Sequence, residues 1–573
     1  MFRILNKLNK FFSKSIKRKF GILSFLLLFG MVLEFVGIGL LVPVLEVISN
    51  QDFRSNTIFT DYIPTIIKSK SDQDILLLFL SFIVFIYFFK TVFMGILSYK
   101  QNKFIYGINS SLANKLYQLY LSQEYHFHIK KSSATLSKNL ITELSYFSFY
   151  LNAILVILTE TLFISTIILC VIWINPISTI TVGLFFTLLS VIYFSISKKF
   201  VKRWSGNRKK LEGLFTITLH EGIRGIRDVK MYGIIDPFVK KFEKEKSEIN
   251  SITSKFTTLN AFPRYFFELL TVLTLVFYLT VMSISGQDIQ SLIPTIGIFI
   301  AATFRILPSV NKVLVSMQGS KFYRSSVEYV INEFEEAVKG VEKLENNPRI
   351  NFNNSIQIKN LGFSYKGTKK DVLRDFDLEI QKGSTIGIKG SSGSGKSTFI
   401  DLFVALHKPL YGQILVDGES IFENINGWRD NIGYVSQFIF LSDTTISENI
   451  AFGKTKENID YEQLEEVIKM AQLSKFIEGL PDGIESKVGE SGIMLSGGQK
   501  QRIGIARALY NNPEILVFDE ATSSLDNDTE KEVMKSIYKL KGQKTILIAA
   551  HRLSTLDKCD TIYNLDSGKL EEE

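Results

Sequence analysis

Eight residues, Gly390-Ser391-Ser392-Gly393-Ser394-Gly395-Lys396-Ser397, fit the pattern G-x-x-x-x-G-K-[ST]. They follow the apolar run 384–389 and precede the helix-like run 398–406, the strand, loop and helix order that this pattern requires. Glycines in such a loop let backbone N–H groups turn toward a chain of phosphates, and the N-terminus of the following helix attracts the same charge. In that chemistry Lys396 reaches the outer phosphates and Ser397 offers its hydroxyl to Mg2+, with Thr398 beside it on the first helical turn.

A second stretch, Glu514-Ile515-Leu516-Val517-Phe518-Asp519-Glu520, is an apolar strand that ends in two acids. A buried strand needs no carboxylates at its tip unless they meet a cation or a water. Asp519 therefore fits a Mg2+ ligand, and Glu520 fits a base that polarises an attacking water. Upstream, Tyr365 offers a ring that either stacks on a nucleobase or belongs to a strand core.

Positioning these groups calls for an α/β domain, and alternating apolar runs with Ile356, Ile358 and Leu361 open one. We place it at 354–573, behind a charged linker at 331–353 that includes Asn346-Asn347-Pro348. The remaining part, 1–330, reads as a membrane domain. The chain has 573 residues, 46% of them hydrophobic and 47 of them Phe, and the apolar residues concentrate in its first part. The formal charge of +9 arises from Lys and Arg lying between apolar runs, not in one stripe or arm. That distribution marks topology and argues against nucleic acid as a partner. Cys170 and Cys559 fall in different domains, which excludes a disulfide framework.

About 20 apolar residues cross a bilayer as a helix. Six stretches qualify: 20–47, 75–99, 151–174, 177–196, 262–284 and 289–307. The connections after the second and fourth are long and rich in Lys and Arg, whereas Asn175-Pro176 and 285–288 carry no positive charge, so both termini are expected in the cytoplasm. The basic segment Met1–Lys19 reads as an amphipathic helix on anionic lipid. The long connections are expected to continue as helices into the cytosol. Their tips, around Gln123–Lys131 and Glu221–Val229, either contact the α/β domain or are solvated turns. Three cations in three spans, Lys90, Arg264 and Arg305, point to a site for an anion such as a phosphate or pyrophosphate headgroup. The competing reading is pairing with Glu34 or Glu268, or snorkelling. Pro263 and Pro308, near two of these cations, are expected to open their helices locally.

The most specific stretch is Leu495-Ser496-Gly497-Gly498-Gln499, followed by Lys500-Gln501-Arg502 and Ala506-Arg507-Ala508-Leu509. Here the chain resembles the ATP-binding cassette family along its whole length, as an all-α six-helix membrane domain fused to one α/β phosphate-loop cassette. The resemblance implies that Gln437 is the residue joining Mg2+ and the catalytic centre and that Asp526, in Ser523-Ser524-Leu525-Asp526, lies in the loop facing a second cassette. It implies that His551 acts with Glu520 in hydrolysis and that 487–492 is an exporter-type contact loop. It further implies that Ser496, Gly497, Gly498 and Gln499 cap ATP held by another cassette, so that two copies work head to tail as a homodimer around two ATP.

Within exporters the chain resembles bacterial flippases of lipid-linked oligosaccharides. The resemblance lies in the stretches with Glu34 and Val42-Pro43, Phe262-Pro263-Arg264-Tyr265-Phe266-Phe267-Glu268 and Phe304-Arg305-Ile306-Leu307-Pro308-Ser309-Val310-Asn311, and in the tail after His551. It implies a polyprenyl-pyrophosphate glycan as cargo, membrane lipid as surroundings and the bacterial cytoplasmic (inner) membrane as location. An exporter of another amphiphile (lipid, drug or peptide) and an ATP-gated channel are the alternatives.

Overall fold

A computed structural model describes residues 14–39, 72–174, 176–284, 289–342, 348–365, 371–522 and 524–572. The chain forms two compact units, one running to Gln123 and resuming over Phe127–Val341, the other made of Glu124–His126 and Glu342–Glu573.

Among its described residues the first unit is helical. Long helices α1 (Lys14–Gly39), α2 (Asp72–Leu121), α5 (Leu144–Ile174), α6 (Pro176–Arg224), α8 (Ile235–Ile284) and α9 (Ile289–Lys339) each carry one of the six apolar stretches. Helices form because lipid offers no partner for backbone N–H and C=O groups. Three windows, Lys14–Gly37, Leu80–Leu121 and Ser133–Leu169, are long and apolar enough to cross a membrane. Their outward faces carry Phe25, Phe85 and Phe88, all exposed, as suits contact with acyl chains. α8 has 50 residues, which at about 1.5 Å each span ~75 Å, more than twice a hydrocarbon core of about 30 Å. The helices therefore continue far past the bilayer.

Short helices α3 (Tyr125–Lys130), α4 (Ser133–Lys138) and α7 (Ile226–Met231) sit at the expected tips. A π-helical turn, Asn139–Glu143, joins α4 to α5. Lys14–Lys19 run directly into α1 as one helix, while 1–13 and the Val42-Pro43 stretch lie outside the described residues.

Two expectations change. α8 runs unbroken through Pro263, and α9 through Pro308, because the loss of one hydrogen bond per proline is absorbed within a long packed helix. The linker is shorter than 331–353. α9 continues to Lys339, with Ile331, Phe334 and Ala337 buried at helical spacing, so Glu335, Glu336 and Lys339 are the solvated face of a packed helix, while Glu333 is buried and pairs with Lys131. The units divide between Val341 and Glu342.

The second unit holds two sheets. Strands β1 (Ser355–Phe363), β2 (Leu373–Gln381), β4 (Tyr411–Val416) and β5 (Glu419–Ser420) form an antiparallel sheet in the order β2-β1-β4-β5. β3 (Thr385–Lys389), β6 (Ile432–Val435), β7 (Ile515–Asp519), β8 (Thr545–Ala549), β9 (Thr561–Asp566) and β10 (Lys569–Glu572) form the other, in the order β10-β9-β3-β8-β7-β6. Every residue of β7 and β8 is buried, the continuous apolar run expected of parallel strands covered on both faces. β9, β3, β8, β7 and β6 run parallel, so their carboxyl ends lie along one edge. Ligands of such sheets bind outside that edge.

Candidate functional site

Strand order decides which residues meet. The carboxyl end of β3 opens into the phosphate loop and helix α10 (Lys396–Phe403). β8 ends just before His551, β7 ends at Asp519 with Glu520 next, and β6 ends just before Gln437. Four functional segments far apart in the chain thus stand side by side.

The loop bends where its glycines allow. Gly393 and Gly395 have φ of +81° and +112°, in the region that L side chains avoid. Lys396 is buried, and its ammonium donates to the carbonyls of Gly390 (2.8 Å) and Ser391 (3.2 Å), with Glu520 Oε1 at 3.9 Å. Burial holds its pKa below the usual lysine value, against the opposing pull of Glu520 and Asp519. Ser397 Oγ donates to Asp519 Oδ1 over 3.3 Å. Burial, with Glu520 adding, raises the Asp519 carboxyl above the ordinary aspartate value.

Glu520 is the centre of a fan of donors. Gln437 Nε2 donates to its Oε2 at 2.8 Å, and His551 Nε2 stands 2.8 Å from its Oε1. His551 Nε2 is also 3.4 Å from the Lys396 ammonium. Glu520 adopts φ +51°, an uncommon value for a side chain of its size, fixed by its N–H donating to Ala549 O at 2.9 Å.

These residues fit a nucleoside triphosphate with its cation. The Lys396 ammonium now bonds neutral carbonyls of its own loop, which phosphate oxygens outbid through charge. Among the described residues, Ser394 Oγ, buried in the loop, has no hydrogen-bond partner. Ser397, Asp519 and the Gln437 amide offer oxygen donors, as Mg2+ prefers. Among the described residues no group of three His, Cys, Asp or Glu could hold a metal, so such a cation would draw its other ligands from phosphate and water.

The remaining expected site residues fall elsewhere. The Tyr365 hydroxyl and that of Thr398 are 3.1 Å apart, and the ring packs edge-on against Phe363 and His407. Ser496 is exposed and caps helix α11 (Gly497–Tyr510), accepting from Gln499 N while Gln499 Oε1 accepts from Ser496 N. Gly497 and Gly498 lie against Ser524 and Leu525, where an added Cβ would come within 3.2 and 3.3 Å of a side-chain carbon and the neighbour would have to give slightly. Asp526 caps helix α12 (Asn527–Tyr538), and the bond from Thr529 N holds its carboxyl below the usual value.

In the membrane unit Lys90 is buried, with its ammonium 3.0 Å from Glu34, itself 0% exposed. The pairing reading thus describes this cation. Arg264 is exposed on α8, and the side chain of Arg305 lies outside the described residues.

Sequence reasoning missed a buried network around Glu530, whose carboxylate accepts from Thr522 and Thr555 and pairs with Arg552. Its only signal was an acid one helical turn after Asp526.

A family model described as ABC transporter transmembrane region matches residues 20–307, and one described as ABC transporter matches 373–523. The chain belongs to the ABC transporters. This ABC transporter chain is 33% identical to an ATP-dependent lipid A-core flippase of Saccharophagus degradans over 381 residues, 66% of this chain and 63% of that protein. It is 30% identical to the protein of the same name from Escherichia coli (strain K12) over 389 residues, 67% of this chain and 66% of that one. The chain thus spans slightly less than two thirds of these relatives. The solved structure of a bacterial Atm1-family ABC exporter with ATP bound matches with a TM-score of 0.77 at 21% identity, covering 98% of this chain and 95% of that one. At that identity the likeness establishes a shared exporter fold, a helical transmembrane domain followed by a nucleotide-binding domain with two sheets.

Proposed function

We propose that this chain is an ATP-driven exporter that works as a homodimer and flips a polyprenyl-pyrophosphate-linked oligosaccharide from the cytoplasmic to the outer leaflet of a bacterial inner membrane. The observation that carries the ATPase part is the convergence of Lys396, Gln437 and His551 on Glu520 beside Ser397 and Asp519. Lys396 grips the outer phosphates, and Glu520 accepts a proton from the attacking water, which Gln437 and His551 orient through the carboxylate. Mg2+, held by Ser397 and Asp519 with Gln437 near, would neutralise charge developing on the phosphates.

Dimerisation rests on the exposed, self-capped N-terminus of α11. Such a terminus attracts anions, and in the family resemblance it meets the ATP of a second copy. Engaged, it joins the two cassettes; after hydrolysis the contact loosens, and the long helices carry the change into the bilayer. Both termini are assigned to the cytoplasm by the distribution of Lys and Arg.

The cargo reading rests on Arg264, exposed on α8, and on Arg305. A pyrophosphate headgroup needs cations along its path, while its apolar tail stays in lipid. A second reading, a lipid A-type glycolipid, is favoured by the names of the two relatives. ATPase stimulation of the reconstituted full chain by polyprenyl-pyrophosphate glycans and by lipid A-core decides between them, with Arg264→Ala and Arg305→Ala alongside. No stimulation by the polyprenyl series sinks the first reading.

A further inference from the structure

We infer that Glu530 is a positioning residue for hydrolysis, holding Glu520 and His551 in mutual register. The inference rests on the ATPase reading above. Glu530 lies on the first turns of α12 and is 6% exposed. Its Oε1 accepts from Thr522 Oγ1 at 2.9 Å and from Thr555 Oγ1 at 2.7 Å, and its Oε2 pairs with Arg552. Thr522 stands two residues after Glu520, Arg552 directly follows His551, and Thr555 ends the next turn. One buried carboxylate therefore ties the segment leaving β7 to the segment leaving β8.

That tie adds to an anchorage that otherwise comes from Gln437 on the Glu520 carboxylate and from the Glu520 N–H on Ala549 O. The His551 side chain is 45% exposed, and Glu520 sits at a left-handed φ. A conformation of that kind persists only where its surroundings over-determine it. Charge-assisted bonds from Arg552 and two hydroxyls supply such constraint, and losing the anion leaves the two buried hydroxyls, of Thr522 and Thr555, poorly answered. The same helix is linked to α11, since Ser524 N donates to Gln501 Oε1 at 3.1 Å just ahead of the Asp526 cap. Glu530 thus lies between the loop assigned to the ATP of a second copy and the pair assigned to hydrolysis of this copy's own ATP.

The test measures ATP turnover against ATP concentration for the full-length chain in lipid nanodiscs, comparing wild type, Glu530→Gln, Arg552→Gln and the double variant, each checked for a monodisperse folded peak. Glu530→Gln is expected to lower kcat about tenfold with KM for ATP within about twofold. The double variant is expected to be no worse than the poorer single, as for two members of one unit. Thr555→Val, which removes one donor and no charge, shifts kcat in the same direction by less. Wild-type kcat in both single variants overturns the inference. So does a multiplicative loss in the double, or a fall in kcat matched by a loss of folded protein, either of which makes Glu530 a stability residue. A wild type that hydrolyses no ATP fails earlier, at the ATPase reading itself.

Discussion

His551 Nε2 lies 2.8 Å from Oε1 of Glu520, close enough for the imidazole to fix the direction of the carboxylate. Glu520→Gln keeps the shape of the side chain and removes its ability to take a proton. Turnover is expected to fall by about 10²–10⁴-fold while ATP still binds. Phosphate release and retention of labelled ATP measure the two halves of this expectation. Turnover within twofold of wild type would take the base role away from Glu520.

Gly390→Ala tests the loop. A Cβ there would stand 2.4 Å from the Leu565 carbonyl and 2.7 Å from Ser394 Oγ, so the loop must move. Overpacking of this kind costs about 1–3 kcal/mol, which corresponds to about fivefold to a hundredfold weaker nucleotide binding. Titration with a fluorescent ATP analogue reads the change directly, and unaltered affinity would contradict it.

Asp401 gives a pH dependence. Burial, with Asp519 adding, pushes its carboxyl up to about 6 from an ordinary 3.8. Between about pH 4 and 6 the unfolded chain releases this proton while the folded chain keeps it, so stability falls as pH rises, and the cost persists above that window. Asp401→Asn should therefore stabilise the cassette at pH 7.5 by at most about 3 kcal/mol, seen as a higher thermal midpoint, and change it little near pH 4. Equal effects at both pH values would rule out ionisation as the cause.

Lys90 and Glu34 supply a test in the membrane unit. Removing one partner by Lys90→Met or Glu34→Gln leaves the other charge buried, at a cost of about 3–5 kcal/mol, whereas the double variant should recover most of it. Thermal stability of the detergent-solubilised chain shows the difference. Two harmless single variants would mean that the 3.0 Å contact is not structural.

Local chemistry was legible in the sequence because it depends on short spacing. Gly390 to Ser397 and the acids closing β7 are readable within eight residues, and the continuous apolar runs of β7 and β8 announce buried parallel strands. What stayed hidden depends on distant partners. Whether Lys90 faces a headgroup or Glu34 is decided by the packing of α1 on α2, which no periodicity reveals. The charges at 333–336 resembled a linker because their spacing does not show that Phe334 and Ala337 remain in a core. Glu530 was invisible because its three donors come from segments 8, 22 and 25 residues away.

The parallel edge formed by β3, β8, β7 and β6 has an evolutionary consequence. Neighbouring strands lie about 4.8 Å apart whatever side chains they carry, because the backbone ladder sets that distance. The catalytic groups hang from strand ends, so their separations are inherited from the ladder and not from the packing beneath it. The interior of this cassette can therefore drift through many apolar combinations while the reach from Lys396 to Glu520 to His551 stays constant. A one-residue slip of β8 against β7, in contrast, would displace His551 by about 3.3 Å and end the chemistry at once.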